Sequence, residues 1–197
     1  MNIKPYWPVI IFSTLYLLIG GAYFLVNNNS EFIIYIVVIV AILGGVFASL
    51  KYTKFPVWML WLLSFWGLMH VLGGAVDTSD GVLFAYRIYP FIDFGGDFYI
   101  LKYDQMVHGY LYGLVAVMAY HSLQTLLHTK KSGFALTLVS VLVSLGISSL
   151  NEIMEFLISL KMVNGVGGYE NTMLDLCFNF AGALVGVVIY LKFRKKM

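Results

Sequence analysis

Residues 32–50 read FIIYIVVIVAILGGVFASL, a run of nineteen residues without one charged side chain. A helix of that length is about as long as the hydrocarbon core of a bilayer is thick. The rest of the chain has the same character, because 60% of its 197 residues are hydrophobic and only 11% are charged. A soluble domain carries roughly 25% charged residues. The sequence therefore predicts an integral membrane protein.

Five further segments match this run in length and hydrophobicity. Only helices satisfy their own backbone hydrogen bonds in lipid without closing a barrel, and the segments are too long and too evenly apolar for barrel strands. We therefore expect an all-α fold, a six-helix transmembrane bundle that forms a single integral membrane domain over residues 1–197. The six predicted spans are residues 6–26, 32–50, 57–76, 104–127, 134–160 and 172–193.

The basic residues predict how the bundle is oriented. Nine lysines and arginines fall on one side of the six-span arrangement and three on the other. Because cytoplasmic loops carry the excess of these residues, we expect a multi-pass protein of the cell membrane with both termini in the cytoplasm. The long connection 77–103 then faces outward. It is rich in Tyr and Phe, and we expect either a partial lid or a mobile interfacial loop.

Composition also narrows the partners. A single cysteine, Cys177, excludes an intrachain disulfide framework and a thiolate metal cluster. The net charge of +2 is too small to indicate a nucleic acid partner. Membrane lipid is the partner that the sequence predicts.

Ionisable side chains inside the spans gather toward one end of the bundle. Such residues are costly in lipid and are functional candidates. Four of the six spans carry acids or imidazoles within about two turns of the outer side, at 3.6 residues per turn. We expect these side chains to line one polar pocket in the outer half of the bilayer. They are His70, Asp104, His108, Glu152, Glu155 and Asp175.

The residue types in this pocket suit a metal ion. Imidazoles and carboxylates bind Zn, Mn or Fe, and helical bundles hold carboxylate metal centres with acids and histidines on facing helices. A divalent metal is therefore the expected cofactor. Its bound water could attack an ester or phosphoester, with a glutamate as general base. The predicted metal ligands are His70, Asp104, His108 and Asp175. The predicted catalytic residues are Glu152, Glu155 and Arg87.

The expected function is a metal-dependent hydrolase or transferase acting on a lipid-like substrate, because the pocket would lie in the outer leaflet beneath an aromatic connection. Glu152 and Glu155 share a helix face and repel each other unless a proton or a cation separates them. Arg87, on the long connection, could neutralise them. The rival hypotheses are a proton- or cation-coupled transporter, since intramembrane acids and histidines also relay protons, and a structural or regulatory subunit.

Several of these residues also have purely structural interpretations. The pattern Thr172-x-x-Asp175 matches a helix capping box. Asp104 could be an N-cap or a partner of the helix dipole. His70 could be an ordinary hydrogen-bonded interior residue. The glutamates could belong to a buried ion-pair network, because buried charges must be paired.

Four stretches of the sequence are characteristic together. They are HVLGG at 70–74, YDQMVH at 103–108, NEIMEF at 151–156 and GYENTMLDL at 168–176, the last followed by Asn179 and Gly182. In these stretches the chain resembles the YjdF-like bacterial and archaeal membrane proteins. The resemblance implies a polytopic membrane protein of unassigned molecular function. The family pattern includes an arginine upstream of the Asp-x-x-x-His pair, to which Arg87 corresponds. Residues 103–108 are also similar to VanZ-like membrane proteins.

Overall fold

Six long helices make up most of the computed structural model, which describes residues 3–96, 98–129, 132–160 and 168–194. The prediction of an all-α six-helix bundle is confirmed. A short 3-10 turn, Lys4–Tyr6, precedes the first helix. The predicted connections 128–133 and 161–171 lie partly outside the described residues. The helices are α1 (Trp7–Val26), α2 (Ser30–Thr53), α3 (Val57–Ala75), α4 (Tyr103–Leu126), α5 (Phe134–Ser159) and α6 (Tyr169–Arg194).

Five of these helices, all except α4, are long and apolar enough to cross a membrane. The exception is explained by its position. α4 packs against α2, α3, α5 and α6, and eleven of its 24 residues are buried. Because its polar side chains face other helices and not lipid, α4 does not need an uninterrupted apolar surface.

α4 and α6 approach each other at two pairs of glycines. Gly109 and Gly113 on α4 face Gly182 and Gly186 on α6. A Cβ atom on Gly182 would overlap the backbone of Gly109, and one on Gly186 would overlap the backbone of Gly113. Small residues four apart allow such backbone-to-backbone packing in membrane helices. The contact holds the part of α6 just past its midpoint against the first half of α4.

α1 packs on the opposite side of the bundle, against α3. The hydroxyl oxygens of Ser13 and Ser64 lie 2.6 Å apart in a buried hydrogen bond between these helices. Next to it, Gly67 on α3 leaves room for the hydroxyl of Tyr16 on α1. α1 and α2 both contact α3, and α3 lies between α1 and the central α4.

The connection between α3 and α4 forms two small antiparallel hairpins, which the sequence did not predict. β1 (Asp77–Thr78) pairs with β2 (Gly81–Val82), and after a 3-10 turn (Leu83–Ala85) β3 (Arg87–Gly95) pairs with β4 (Phe98–Lys102). Asp93 lies opposite Tyr99 in the second pair. β4 runs directly into α4. We call this end of the bundle the hairpin end.

Gln105 fastens the second hairpin to the start of α4. Its Nε2 donates to the Tyr99 carbonyl at 2.8 Å, and its Oε1 accepts from the Lys102 backbone N–H at 3.0 Å. The side chain is completely buried.

Gln105→Ala is therefore expected to lower the free energy of unfolding by about 1–3 kcal/mol, because it leaves buried backbone groups without their partners. Thermal unfolding of the purified protein in detergent measures the change. Met106→Ala is the control, since the adjacent Met106 side chain is 39% exposed. An equal loss in both variants would contradict this role of Gln105.

Candidate metal centre

Five predicted site residues come together at the hairpin end. The start of α4 supplies two of them, the end of α5 two, and the start of α6 one. The possible ligand atoms of Asp104, His108 and Asp175 lie within 4.8 Å of one another, and so do those of His108, Glu152 and Glu155. The cluster therefore consists of two groups of three residues that share His108.

His108 lies between carboxylates of two helices. Its Nε2 is 3.6 Å from Asp104 Oδ1, one turn earlier on α4. Its Nδ1 is 3.5 Å from Glu152 Oε1 on α5. The imidazole is 8% exposed, so the two nitrogens face different acids inside the bundle.

A hydrogen-bond chain favours one tautomer of neutral His108. The Asn179 amide nitrogen donates to Ser148 Oγ at 2.7 Å, which turns Asn179 Oδ1 toward His108 Nδ1 at 3.2 Å. A carbonyl oxygen only accepts, so Nδ1 must be the donor. Nε2 then keeps its lone pair and faces Asp104, which is the arrangement found in metal-binding histidines.

Asp175 is held by an amide that is itself held by a lysine. Asn171 Nδ2 donates to Asp175 Oδ2 at 2.7 Å, and Lys102 Nζ donates to Asn171 Oδ1 at 3.1 Å. The carboxylate is only 1% exposed. Its second oxygen, Oδ1, has no hydrogen bond to any residue that the structure describes. A buried carboxylate oxygen without a partner is costly, so this atom is suited to a ligand.

The paired glutamates turn toward different neighbours. Glu155 Oε1 accepts from Asn151 Nδ2 at 2.7 Å, whereas Glu152 lies beside His108. Glu152 Oε1 is the second buried carboxylate oxygen that lacks a hydrogen bond among the described residues. Two such oxygens therefore lie on different helices of the cluster, one on α5 and one on α6.

Two capping interpretations are wrong. α6 begins at Tyr169, so Thr172 is already inside the helix and Asp175 lies in its second turn, beyond capping positions. α4 begins at Tyr103, and its N-cap residue is Lys102, whose backbone N–H donates to Gln105 Oε1. Asp104 is therefore a first-turn residue and not an N-cap.

His70 reaches the pocket but not the ligand groups. Its ring lies among those of Tyr35, Trp66 and Phe84, at centroid distances of 5.3, 5.6 and 5.0 Å. Neither group of three contains it. The structure thus places His70 in the aromatic wall beside the centre, where its ring packs against its neighbours.

Arg87 is not brought to the glutamates. Its Nη2 donates to the Gly96 carbonyl at 3.1 Å, and its guanidinium lies over the Tyr99 ring, 4.9 Å from the centroid. These contacts hold the second hairpin together. The neutralising role predicted for Arg87 has no contact to support it among the described residues.

The cluster opens into a polar pocket of about 220 Å³ at the hairpin end. Asp104, His108 and Glu155 line it, and α2 contributes Glu31 and Tyr35. Glu31 was missed because residues 27–31 were predicted as a connection, and Tyr35 because the evenly apolar span 32–50 does not show which face of the helix turns inward. The sequence feature that could have indicated this side of the pocket is Glu31, an acid in the first turn of α2.

Comparison with known families covers nearly the whole chain. The family described as Predicted membrane protein (DUF2238) matches residues 7–196. The chain belongs to this family. The membership agrees with a multi-pass membrane protein and is consistent with the YjdF-like resemblance, without establishing that name or the VanZ-like similarity. No match was found among curated proteins or among solved structures.

In this DUF2238 protein a second cavity adjoins the polar pocket. It is an apolar crevice of about 610 Å³ between α2, α3, α4 and α5. Tyr35 and His70 line both the crevice and the polar pocket. The polar pocket therefore lies on one side of the centre, and the apolar crevice lies on the other.

Proposed function

We propose that this DUF2238 protein binds a divalent first-row metal ion, Zn, Mn or Fe, at the hairpin end and uses it for hydrolysis or group transfer on a lipid-like substrate. One observation carries the proposal. Asp175 lies within ligand distance of Asp104 and His108, and its buried Oδ1 has no hydrogen bond to a described residue. A bound cation would give this oxygen the partner that it lacks.

The ligand set that we propose is Asp104, His108 through Nε2, and Asp175. The hydrogen bond from His108 Nδ1 to Asn179 leaves Nε2 free to bind metal, and Asn171 orients the Asp175 carboxylate. Hydrogen-bonded partners of this kind usually fix metal ligands in place. Three protein ligands leave a position for water, which is typical of catalytic metal sites.

One glutamate supplies the acid–base chemistry in this proposal, and the other orients His108. A metal ion held by the three ligands would activate a water molecule as the nucleophile for an ester. Glu155, which lines the polar pocket, would act as general base toward that water and would then give the proton to the leaving alcohol. Glu152, 3.5 Å from His108 Nδ1, orients the imidazole.

The alternative, a coupled transporter, has weaker support. Between His108 and His121, α4 carries no Asp, Glu, His, Lys or Arg. His121 lies far along the helix, with its Nε2 3.3 Å from the Lys54 carbonyl. A proton or cation path would need polar steps across this distance, whereas the neighbouring crevice is apolar. A site confined to one end favours an enzyme.

Metal content tests the proposal directly. The protein is purified in detergent without chelators, equilibrated with Zn²⁺, Mn²⁺ or Fe²⁺ in turn, desalted and subjected to elemental analysis. We expect about one metal ion per chain in the wild type and at least a tenfold loss of affinity in His108→Ala. Asp175→Ala should behave in the same way.

His121→Ala is the matched control, because it removes the same residue type from the same helix outside the centre. It should retain the metal of the wild type. A wild type that binds none of the three ions stoichiometrically would overturn the proposal. Equal metal in His108→Ala and His121→Ala would place the ion elsewhere.

A further inference from the structure

We infer that the apolar crevice beside the metal centre binds one long hydrocarbon chain of the substrate lipid, with the lipid head group in the polar pocket. The inference rests on the proposed function, since it names the part of the substrate that the second cavity recognises. In this inference the crevice binds part of the substrate, and the side chains of α2 that line it contact the hydrocarbon chain.

The crevice has the length of an extended chain. Along α2 it runs from Tyr35 near the centre to Thr53 at the far end. Eighteen residues of helix separate these two, which is about 27 Å at 1.5 Å per residue. Its volume of about 610 Å³ lies in the range of ligand pockets, roughly 300–1,000 Å³. The space is therefore long and narrow enough for one chain.

The chemistry of the walls also fits hydrocarbon. The middle of the crevice is lined by apolar side chains such as Ile42 on α2, Leu63 on α3 and Ile147 on α5. Polar groups lie toward its ends, with Tyr35 and His70 at the centre and Ser49 and Thr53 far from it. A chain entering sideways from the bilayer would leave one apolar environment for another, while its head group reaches the acids.

Another groove shows why continuity with the centre matters. A larger apolar groove of about 810 Å³ runs along α4 and α6 past Gly109 and Gly182. It shares no lining residue with the polar pocket. Bulk lipid can fill such a surface without reaching the centre. The crevice differs because Tyr35 and His70 belong to both cavities, so a chain lying there has its head group at His108.

Two adjacent glycines provide a sharp test. Gly45 lines the crevice and Gly44 does not. A Cβ atom on either would meet no heavy atom within 4 Å, so both positions accept a larger side chain. Gly45→Phe places a ring across the crevice about 15 Å from Tyr35, ten residues along the helix. Gly44→Phe adds the same ring outside it.

Quenching of tryptophan fluorescence measures the binding of a hydrocarbon chain in the crevice. Trp66 lines the crevice, and replacing Trp7, Trp58 and Trp61 by Phe leaves it as the only fluorophore of its type. The probe is a monoacylglycerol whose stearoyl chain carries two bromines near its middle. It is titrated into the metal-free protein in detergent with a chelator present. We expect saturable quenching, about tenfold weaker in Gly45→Phe and nearly unchanged in Gly44→Phe.

A second pair of variants keeps the test valid if Gly45→Phe fails to fold. Val143 on α5 lines the crevice and Leu142 does not, so Val143→Phe should weaken the probe and Leu142→Phe should not. Quenching that rises without saturation, or that is equal within both pairs, would overturn the inference. Because the readout needs no metal and no activity, a failure here is distinguishable from a failure of the metal proposal.

Discussion

Gly182→Ile is expected to lower the free energy of unfolding by about 3 kcal/mol or more, at the upper end of the usual range for overpacking. A side chain at Gly182 would overlap the carbonyl oxygen and Cα of Gly109. Backbone atoms in the middle of a helix cannot rotate aside as a flexible side chain can. α4 and α6 must therefore separate, and the start of α6 moves away from His108.

Thermal unfolding in detergent and the yield of monodisperse protein measure this loss. Gly146→Ile on α5 is the matched control, since a Cβ atom there meets nothing within 4 Å and the change in helix propensity is the same. Because isoleucine has the higher helix propensity, we expect the free energy of unfolding of Gly146→Ile to be unchanged or to rise by less than about 1 kcal/mol. If the two variants unfold alike, the glycine contact does not determine how α4 and α6 pack.

Asp175→Asn is expected to change stability in opposite directions with and without metal. In the metal-free protein, an amide replaces one of four neighbouring carboxylates, of which Glu152 and Asp175 are buried. The change removes charge repulsion and a desolvated charge. The substitution should then stabilise the protein by about 1–2 kcal/mol. With metal, the wild type gains about 2.7 kcal/mol at a free concentration one hundred times Kd, and the variant loses most of this gain.

Unfolding temperatures measured across a metal titration distinguish these two effects. Glu170→Gln removes an exposed acid from the first turn of the same helix and should respond to metal as the wild type does. A metal response of Asp175→Asn as large as that of Glu170→Gln would show that Asp175 is not a ligand. A less stable metal-free Asp175→Asn would show that the carboxylate is satisfied without a cation.

The sequence predicted the helices well because length and hydrophobicity suffice to recognise them in a membrane protein. It also paired Asp104 with His108 correctly, since spacing within one helix fixes a shared face. Contacts between helices were harder to predict. A membrane helix is apolar both where it faces lipid and where it faces other helices. Its sequence therefore has no polar stripe that would show which side turns toward the interior, and α2 is an example. Tyr35 was missed for this reason.

The remaining surprises lie outside the spans. Lys102 and Asn171 were taken as parts of connections, yet they orient Asp175. Their roles depend on where β4 ends and where α6 begins, and helix ends are poorly determined by hydrophobicity. The sequence did not show that Arg87 lies on a hairpin away from the centre. The apolar and polar residues of β3 alternate poorly, and Pro90 interrupts the strand, so the segment gave only a weak strand signal.

The glycine contact between α4 and α6 has a consequence for how the protein tolerates change. There the separation of the two helices is set by backbone atoms and not by the size of packed side chains. Substitutions in the lipid-facing surface can therefore accumulate without widening or narrowing the gap between His108 and Asp175. The distance between α4 and α6 at the centre is thus insulated from substitutions in the lipid-facing surface, whereas a change at the glycines would alter it.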